Sequence, residues 1–425
     1  MGLLLRSRYL LDGLNDSAIE HGVLLIENDR IAYVGGGDGI SGTGHVTVEL
    51  PEHTLCPGLI DAHVHLTSDG TPEREVVQPT GEARYQAQLL RAVRNMQASL
   101  LGGVTTVRDL GAPNDLIFTL RQAERSGALL GPRIVASGAN ITTTGGHGWS
   151  GGHECDTADE VRKACRVQLK LGVDLIKIMS SGGVFTALSR SSNCQFSVDE
   201  LREAVVEAEK MGKRVATHAH SKDAIKSSIM AGIHSIDHGI FLDDECIGLM
   251  LERGTYLVPT LAPHTYIWGN PEIRRIPQVF LEKAALIREP NFQGARRAIE
   301  RGVKIAAGTD SGIPFMTHGR VVSEVETLAY LGMKPLEAIR TATRYASELL
   351  QVDDRVGTLE AGKVADVIAV HGNPLDRLEH LRNPVLVIHD GRVVGVHRSV
   401  DAPHEPGALS LGDRGGWPGW RWQAA

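Results

Sequence analysis

The sequence contains no apolar run approaching the roughly 20 residues that a membrane-spanning helix needs, so a helical membrane protein is excluded. Residues 1–6 lack a basic leader, a sufficient apolar core and a cleavage site, and no secretory signal is expected there. Cysteine is scarce: five residues, odd in number, scattered, with no Cys-x-x-Cys. That argues against a disulfide framework and for reduced, structural thiols in a cytoplasmic protein. Excess positive charge is missing too. A formal net charge of -7 and a pI near 6.2 speak against nucleic acid or an anionic membrane as partner. No Gly-x-Gly-x-x-Gly opens a helix after a strand, so the phosphate cradle of a dinucleotide site is absent.

Glycine and histidine, in contrast, are plentiful, at 48 and 18 residues. The glycines punctuate a regular alternation. Between about 57 and 350, short apolar runs at 59–60, 104–107, 133–136, 175–178, 215–217, 235–237, 256–260 and 304–307 read as strands. Amphipathic stretches such as 197–211 and 243–253 lie between them and read as helices. Gly172, Gly212 and Gly302 sit where helices should stop. Eight β/α repeats in this length fit a (β/α)8 TIM barrel; an open doubly wound sheet has the same periodicity. Both flanks are rich in β-prone runs, with Asp390-Gly391 as a hairpin-type turn. The chain therefore divides into a barrel over 57–351 and a small β-sandwich made from 1–56 plus 352–425. Three of the five tryptophans, Trp417, Trp420 and Trp422, crowd into the last residues, a segment suited to docking on the body or on another subunit.

The polar residues at the ends of the barrel strands carry the chemistry. His63 and His65 are two apart, so on a strand they leave from the same face and can grip one cation. Lys177 lies within the fourth apolar run, His218 ends the fifth, His238 the sixth and Asp310 follows the eighth. Singly, each admits a plainer reading: a snorkelling lysine, core histidines, a helix-capping aspartate. A barrel brings the ends of its strands to one mouth, where catalytic groups of that fold sit, and six such residues from five strands point to a metal centre there.

The segments Pro57-Gly-Leu-Ile-Asp-Ala-His-Val-His65 and Gly357-Thr-Leu-Glu-Ala-Gly-Lys-Val-Ala-Asp-Val367 resemble the amidohydrolase superfamily of metal-dependent hydrolases. Val104-Thr-Thr-Val-Arg-Asp109, Thr144-Gly-Gly-His-Gly148 and Ile178-Met-Ser-Ser-Gly-Gly183 resemble its Xaa-Pro dipeptidase and carboxypeptidase-like members; ochratoxin-hydrolysing amidases are similar. The resemblance implies a binuclear site. His63, His65 and Asp310 would bind the more buried metal, and His218 and His238 the other. Lys177, as an N6-carboxylysine formed from CO2, would bridge the two divalent ions. Zn2+ suits such ligands, as do Mn2+, Fe2+ and Co2+. A water shared by the metals would be acidified, with Asp310 as its proton acceptor.

For substrate binding we expect His147, His220, Tyr266 and Arg190, with His264, Trp149 and Trp268 near the mouth. Some relatives carry Tyr where this chain has His220. The expected reaction is hydrolysis of the amide bond in an N-acyl amino acid or dipeptide, Xaa-Pro dipeptides being a favoured subset. The alternatives are an ester, carbamate or cyclic amide substrate, or a non-catalytic scaffold of the same fold. A mononuclear imidazolonepropionase-like or deaminase-like enzyme conflicts with Lys177. A small-molecule substrate and a homo-oligomer are expected.

Overall fold

The computed structural model describes residues 2–37, 40–72, 81–187 and 189–396; the tryptophan-rich tail lies outside them. Among these residues no helix is long and apolar enough to cross a membrane.

The two terminal regions meet through one long strand. Val46–Pro57 has twelve residues and pairs with the Leu3–Leu10 strand along most of its length. Its last residues, His53 to Pro57, pair on the other edge with Val367–His371. The result is a single seven-stranded sheet in the order Arg392–Val396, Leu386–His389, Val367–His371, Val46–Pro57, Leu3–Leu10, Ile19–Glu27, Arg30–Gly36. The expected sandwich thus takes the form of one continuous sheet. It curls back on itself: Ile31 donates its N–H to the Lys363 carbonyl at 2.9 Å and accepts from the Gly362 N–H at 2.8 Å. Leu5, Leu24, Leu50, Leu55, Val367 and Ile388 fill the space it encloses. Asp390 and Gly391 both have positive φ, 47° and 73°, as a tight hairpin between twisted strands requires.

The middle of the chain is the barrel. Leu59–Val64, Val104–Asp109 and Arg133–Ala136 run parallel, as do Leu175–Met179, Arg214–Ala219, Ser235–His238 and Tyr256–Val258. Asp174 joins the two groups. Its N–H reaches the Ala136 carbonyl at 2.8 Å and its carboxylate accepts the Ala136 N–H at 2.9 Å. The eighth element departs from expectation, forming isolated bridges instead of a regular strand. Leu257 exchanges backbone bonds with Lys304 and Ala306 on one side. On the other, Ala62 donates to Ala307 (2.9 Å), Asp310 to His63 (2.8 Å) and His65 to Ser311 (2.8 Å), which closes the ring. The approach is close because residue 308 is glycine: a Cβ there would stand 3.0 Å from the His63 nitrogen and 2.8 Å from its Cβ.

The helices start and stop where the sequence indicates. Ser197 and Glu200 form a reciprocal capping box at the start of Val198–Glu209. Asp243 caps Asp244–Arg253. Gly172, Gly212 and Gly302 all adopt positive φ.

A buried ionic cluster fastens the barrel to the sheet. Arg133, from the third barrel strand, pairs with Asp366 at 2.7 Å and with Asp390. His389 meets Asp366 at 3.0 Å and Glu124 at 3.6 Å. Although burial opposes charging the imidazole, the carboxylates prevail and raise His389 to about 9. Asp366 is held far below the usual carboxylate range by His389 and Arg133 against its own burial.

Candidate metal centre

Every residue of Leu59–Val64 is buried, as is every residue of Leu175–Met179 and Ser235–His238. Charged side chains in such strands have only the barrel interior to occupy, and they pair there. The Arg108 guanidinium donates to Asp237 at 3.0 Å, to Ser235 Oγ at 3.1 Å and to the Ala62 carbonyl. Asp237 also accepts from Lys177 Nζ. Burial pulls Lys177 down from its usual range, outweighing the opposing pull of Asp237. Asp61 accepts from the Thr309 N–H at 3.0 Å and from the Thr309 hydroxyl, tying the first strand to the segment that carries Asp310.

Above this floor stand two triads. His63 Nε2 and His65 Nε2 lie 3.5 and 3.1 Å from Asp310 Oδ1. One ligand atom from each of these three residues falls within 4.8 Å of the others, and the same holds for His218, His220 and His238. The triads adjoin, with ring centroids of His63 and His238 5.1 Å apart. Hydrogen bonds fix which nitrogen each ring presents. His218 Nε2 lies 3.2 Å from the Gly182 carbonyl, which can only accept, so Nε2 carries the proton and Nδ1 is bare. His238 Nδ1 lies 2.7 Å from Thr260 Oγ1, which leaves Nε2 for the cavity.

The donor set fits divalent metal. Burial, reinforced by neighbouring imidazoles and Lys177, pushes His63, His218, His220 and His238 well below the ordinary imidazole range, so each keeps a lone pair at neutral pH. His63 Nδ1, His220 Nδ1 and Asp310 Oδ1 are buried with no hydrogen-bond partner, an unusual cost unless something else completes them. The ligand set expected from sequence, His63, His65, Lys177, His218, His238 and Asp310, lines a single cavity of about 670 Å³.

His147, His220 and His264 line that cavity as well. His147 is held by Thr186 Oγ1 at 2.9 Å. Four other expected residues are not brought to it. Tyr266 turns to Ser323, its hydroxyl 2.8 Å from Oγ. Arg190 is exposed on its loop. Trp149 is about half exposed, and Trp268 packs with Arg288. Sequence reasoning missed Arg84, Asn140 and Thr260, which do line the cavity, and the Arg108–Asp237 pair beneath it. Charges inside apolar strands were a visible signal for that pair.

Comparison with known proteins agrees with this geometry. The amidohydrolase family profile matches residues 54–396. Ochratoxinase from Aspergillus niger is 31% identical over 405 residues, covering 87% of this chain and 82% of that protein. A crystal structure of a Xaa-Pro dipeptidase with bound methionine superposes with a TM-score of 0.86 at 34% identity, covering 92% of this chain and 99% of the other. The crystal structure of the A. niger ochratoxinase superposes with a TM-score of 0.79 at 26% identity, over 93% and 96% of the two chains. With a His–His–Asp and a His–His–His triad at the mouth of a β/α barrel, the chain belongs to the amidohydrolase family and is a hydrolase of C–N bonds.

Proposed function

We propose that this protein hydrolyses the amide bond of N-acyl amino acids or dipeptides with a free C-terminal carboxylate, Xaa-Pro dipeptides among them, using two divalent ions, Zn2+ by preference. The observation that carries the reading is the pair of triads, His63–His65–Asp310 and His218–His220–His238, facing one cavity that also contains Lys177. The imidazoles of His63, His65, His218 and His238, the Asp310 carboxylate and the buried Lys177 amine would hold the ions, with Lys177 carboxylated between them. When bound, the ions supply acidity to an attacking water and polarise the scissile carbonyl.

The chain's own groups do the rest. Asp310 sets one oxygen among the imidazoles and offers its carboxylate to the proton of the water, which it then passes to the departing nitrogen. Val184, Phe185, Ile240, Ile267, Ile287 and Ile313 form an apolar wall that takes the substrate side chain and excludes water. The His147 imidazole and the Arg84 guanidinium are the groups available to the substrate carboxylate. His220, beside His218 with centroids 4.2 Å apart, faces the reacting carbonyl.

The test is metal analysis combined with a substrate screen. We expect two zinc equivalents per chain and turnover of dipeptides and N-acyl amino acids ahead of aryl esters and lactams. Fully loaded protein that cleaves no amide would overturn the proposal.

A further inference from the structure

The last three barrel strands lead into residues with left-handed backbones: His238 at φ 72°, Thr260 at φ 48° and Asp310 at φ 54°. Thr260 is the most demanding of these, because a β-branched side chain crowds its own backbone in that region. Something must hold it there, and strain of this kind persists only where the surroundings over-determine it.

Glu324 is placed to do so. It projects from the first turn of the Val321–Tyr330 helix and is fully buried. Its Oε1 accepts the Leu261 N–H at 3.0 Å and its Oε2 the Ala262 N–H at 2.6 Å. These are the two residues directly after Thr260, so the carboxylate dictates how the chain leaves it. On the other side, Asn291 Nδ2 donates to the Pro259 carbonyl at 3.1 Å. Pinned on both flanks, Thr260 aims its hydroxyl at His238 Nδ1, 2.7 Å away. An imidazole that presents Nε2 to a cation carries its proton on Nδ1, so the hydroxyl accepts that proton and sets the ring's tautomer and orientation.

We propose that Glu324 is a positioning residue for the metal ligand His238, acting through the amides of Leu261 and Ala262 and the hydroxyl of Thr260. This rests on the metal reading of the site given above. The burial of Glu324 is costly: it pushes the carboxyl up to about 8 against the two N–H bonds that favour its charged form. An acid retained at that cost fits a task beyond filling space.

The experiment measures zinc retention by the full chain in competition with a chelator, using Zn2+ alone, alongside thermal unfolding. Groups of this kind govern metal affinity by about 10–100-fold. Glu324→Gln, which sets an amide NH2 against a backbone N–H, should release one of two zinc equivalents about tenfold or more too readily. Thr260→Val should do the same, and Thr260→Ser, which keeps the hydroxyl, should hold zinc as the wild type does. The double variant Thr260→Val/Glu324→Gln should be little worse than either alone, since both break one chain of contacts. Where Glu324→Gln does not fold, Glu324→Asp, which keeps the acid and shortens its reach, takes its place. Unchanged zinc affinity with only a lowered melting temperature, or fully additive losses, would leave Glu324 a structural residue and overturn the proposal. Wild-type protein that retains no zinc at all would instead overturn the metal reading, and this proposal with it.

Discussion

Raising the pH from 6.5 to 9 should loosen the joint between barrel and sheet, because His389 loses its proton in that window. The ring is 5% exposed, so solvent screens it little. It faces Asp366 at 3.0 Å, Glu124 at 3.6 Å and Asp390 at 3.7 Å, with the Arg133 guanidinium opposing them. Its folded value of about 9 lies above the 6.5 of a free imidazole. A group raised on folding stabilises fully below its unfolded value, and that contribution is lost as the pH climbs through the folded one. At about 1.4 kcal/mol per pH unit, the span from 6.5 to about 9 corresponds to about 3 kcal/mol. The low value of Asp366 reports the same ion pair and adds nothing further. The assay is a series of urea unfolding midpoints from pH 6 to 9.5 on wild type and His389→Gln, whose side chain does not titrate. Other groups contribute equally to both proteins, so the difference between the curves isolates His389. It should shrink steadily between pH 6.5 and 9. A difference that stays constant across that window would refute the ion-pair account of the joint.

Three predictions concern the site. Lys177→Ala should lose both metal and turnover, and a short added carboxylate should partly restore them by standing in for a carbamate; full activity without the additive would remove the bridge. Asp310→Asn should lose about 10²–10⁴-fold in kcat, the scale of a missing proton acceptor, while its melting temperature stays near that of the wild type. His220→Tyr should keep two zinc equivalents and change the ratio of kcat/KM between dipeptides and N-acyl amino acids; loss of an equivalent in elemental analysis would make His220 a ligand.

That these candidate ligands would meet in one cavity was legible in the sequence because strand geometry is simple. A period of two puts His63 and His65 on one side, and an ionisable residue at the end of an apolar run has only the barrel mouth to occupy. What failed was local and helical. His264 and Tyr266, after the seventh strand, were both expected at the mouth. They lie in the Ala262–Trp268 helix, in which Pro263, His264 and Ile267 share the cavity face while Tyr266 points to Ser323. Arg190 failed for another reason: nothing in Ser-Arg-Ser-Ser says which way a loop residue faces. The eighth strand was placed correctly in the chain, but the close approach at Gly308 and the left-handed backbone at Asp310 interrupt its ladder. Arg108 and Asp237 stood out as charges inside apolar strands, but their partnership did not, because pairing across a barrel depends on which strands face each other, and no single segment encodes that.

The closing seam of the barrel, between Leu59–Val64 and residues 304–311, is also where one of the triads sits. During synthesis the imidazoles of His63 and His65 emerge long before the carboxylate that completes their set, so the nascent chain carries half a chelator until nearly the whole ring has been made. A cation captured by all three residues would rivet the first strand to the last. Stripping it should therefore unzip the ring at this joint ahead of the rest, with the Ala62 and His65 amides, which bond across it, the first to exchange with solvent.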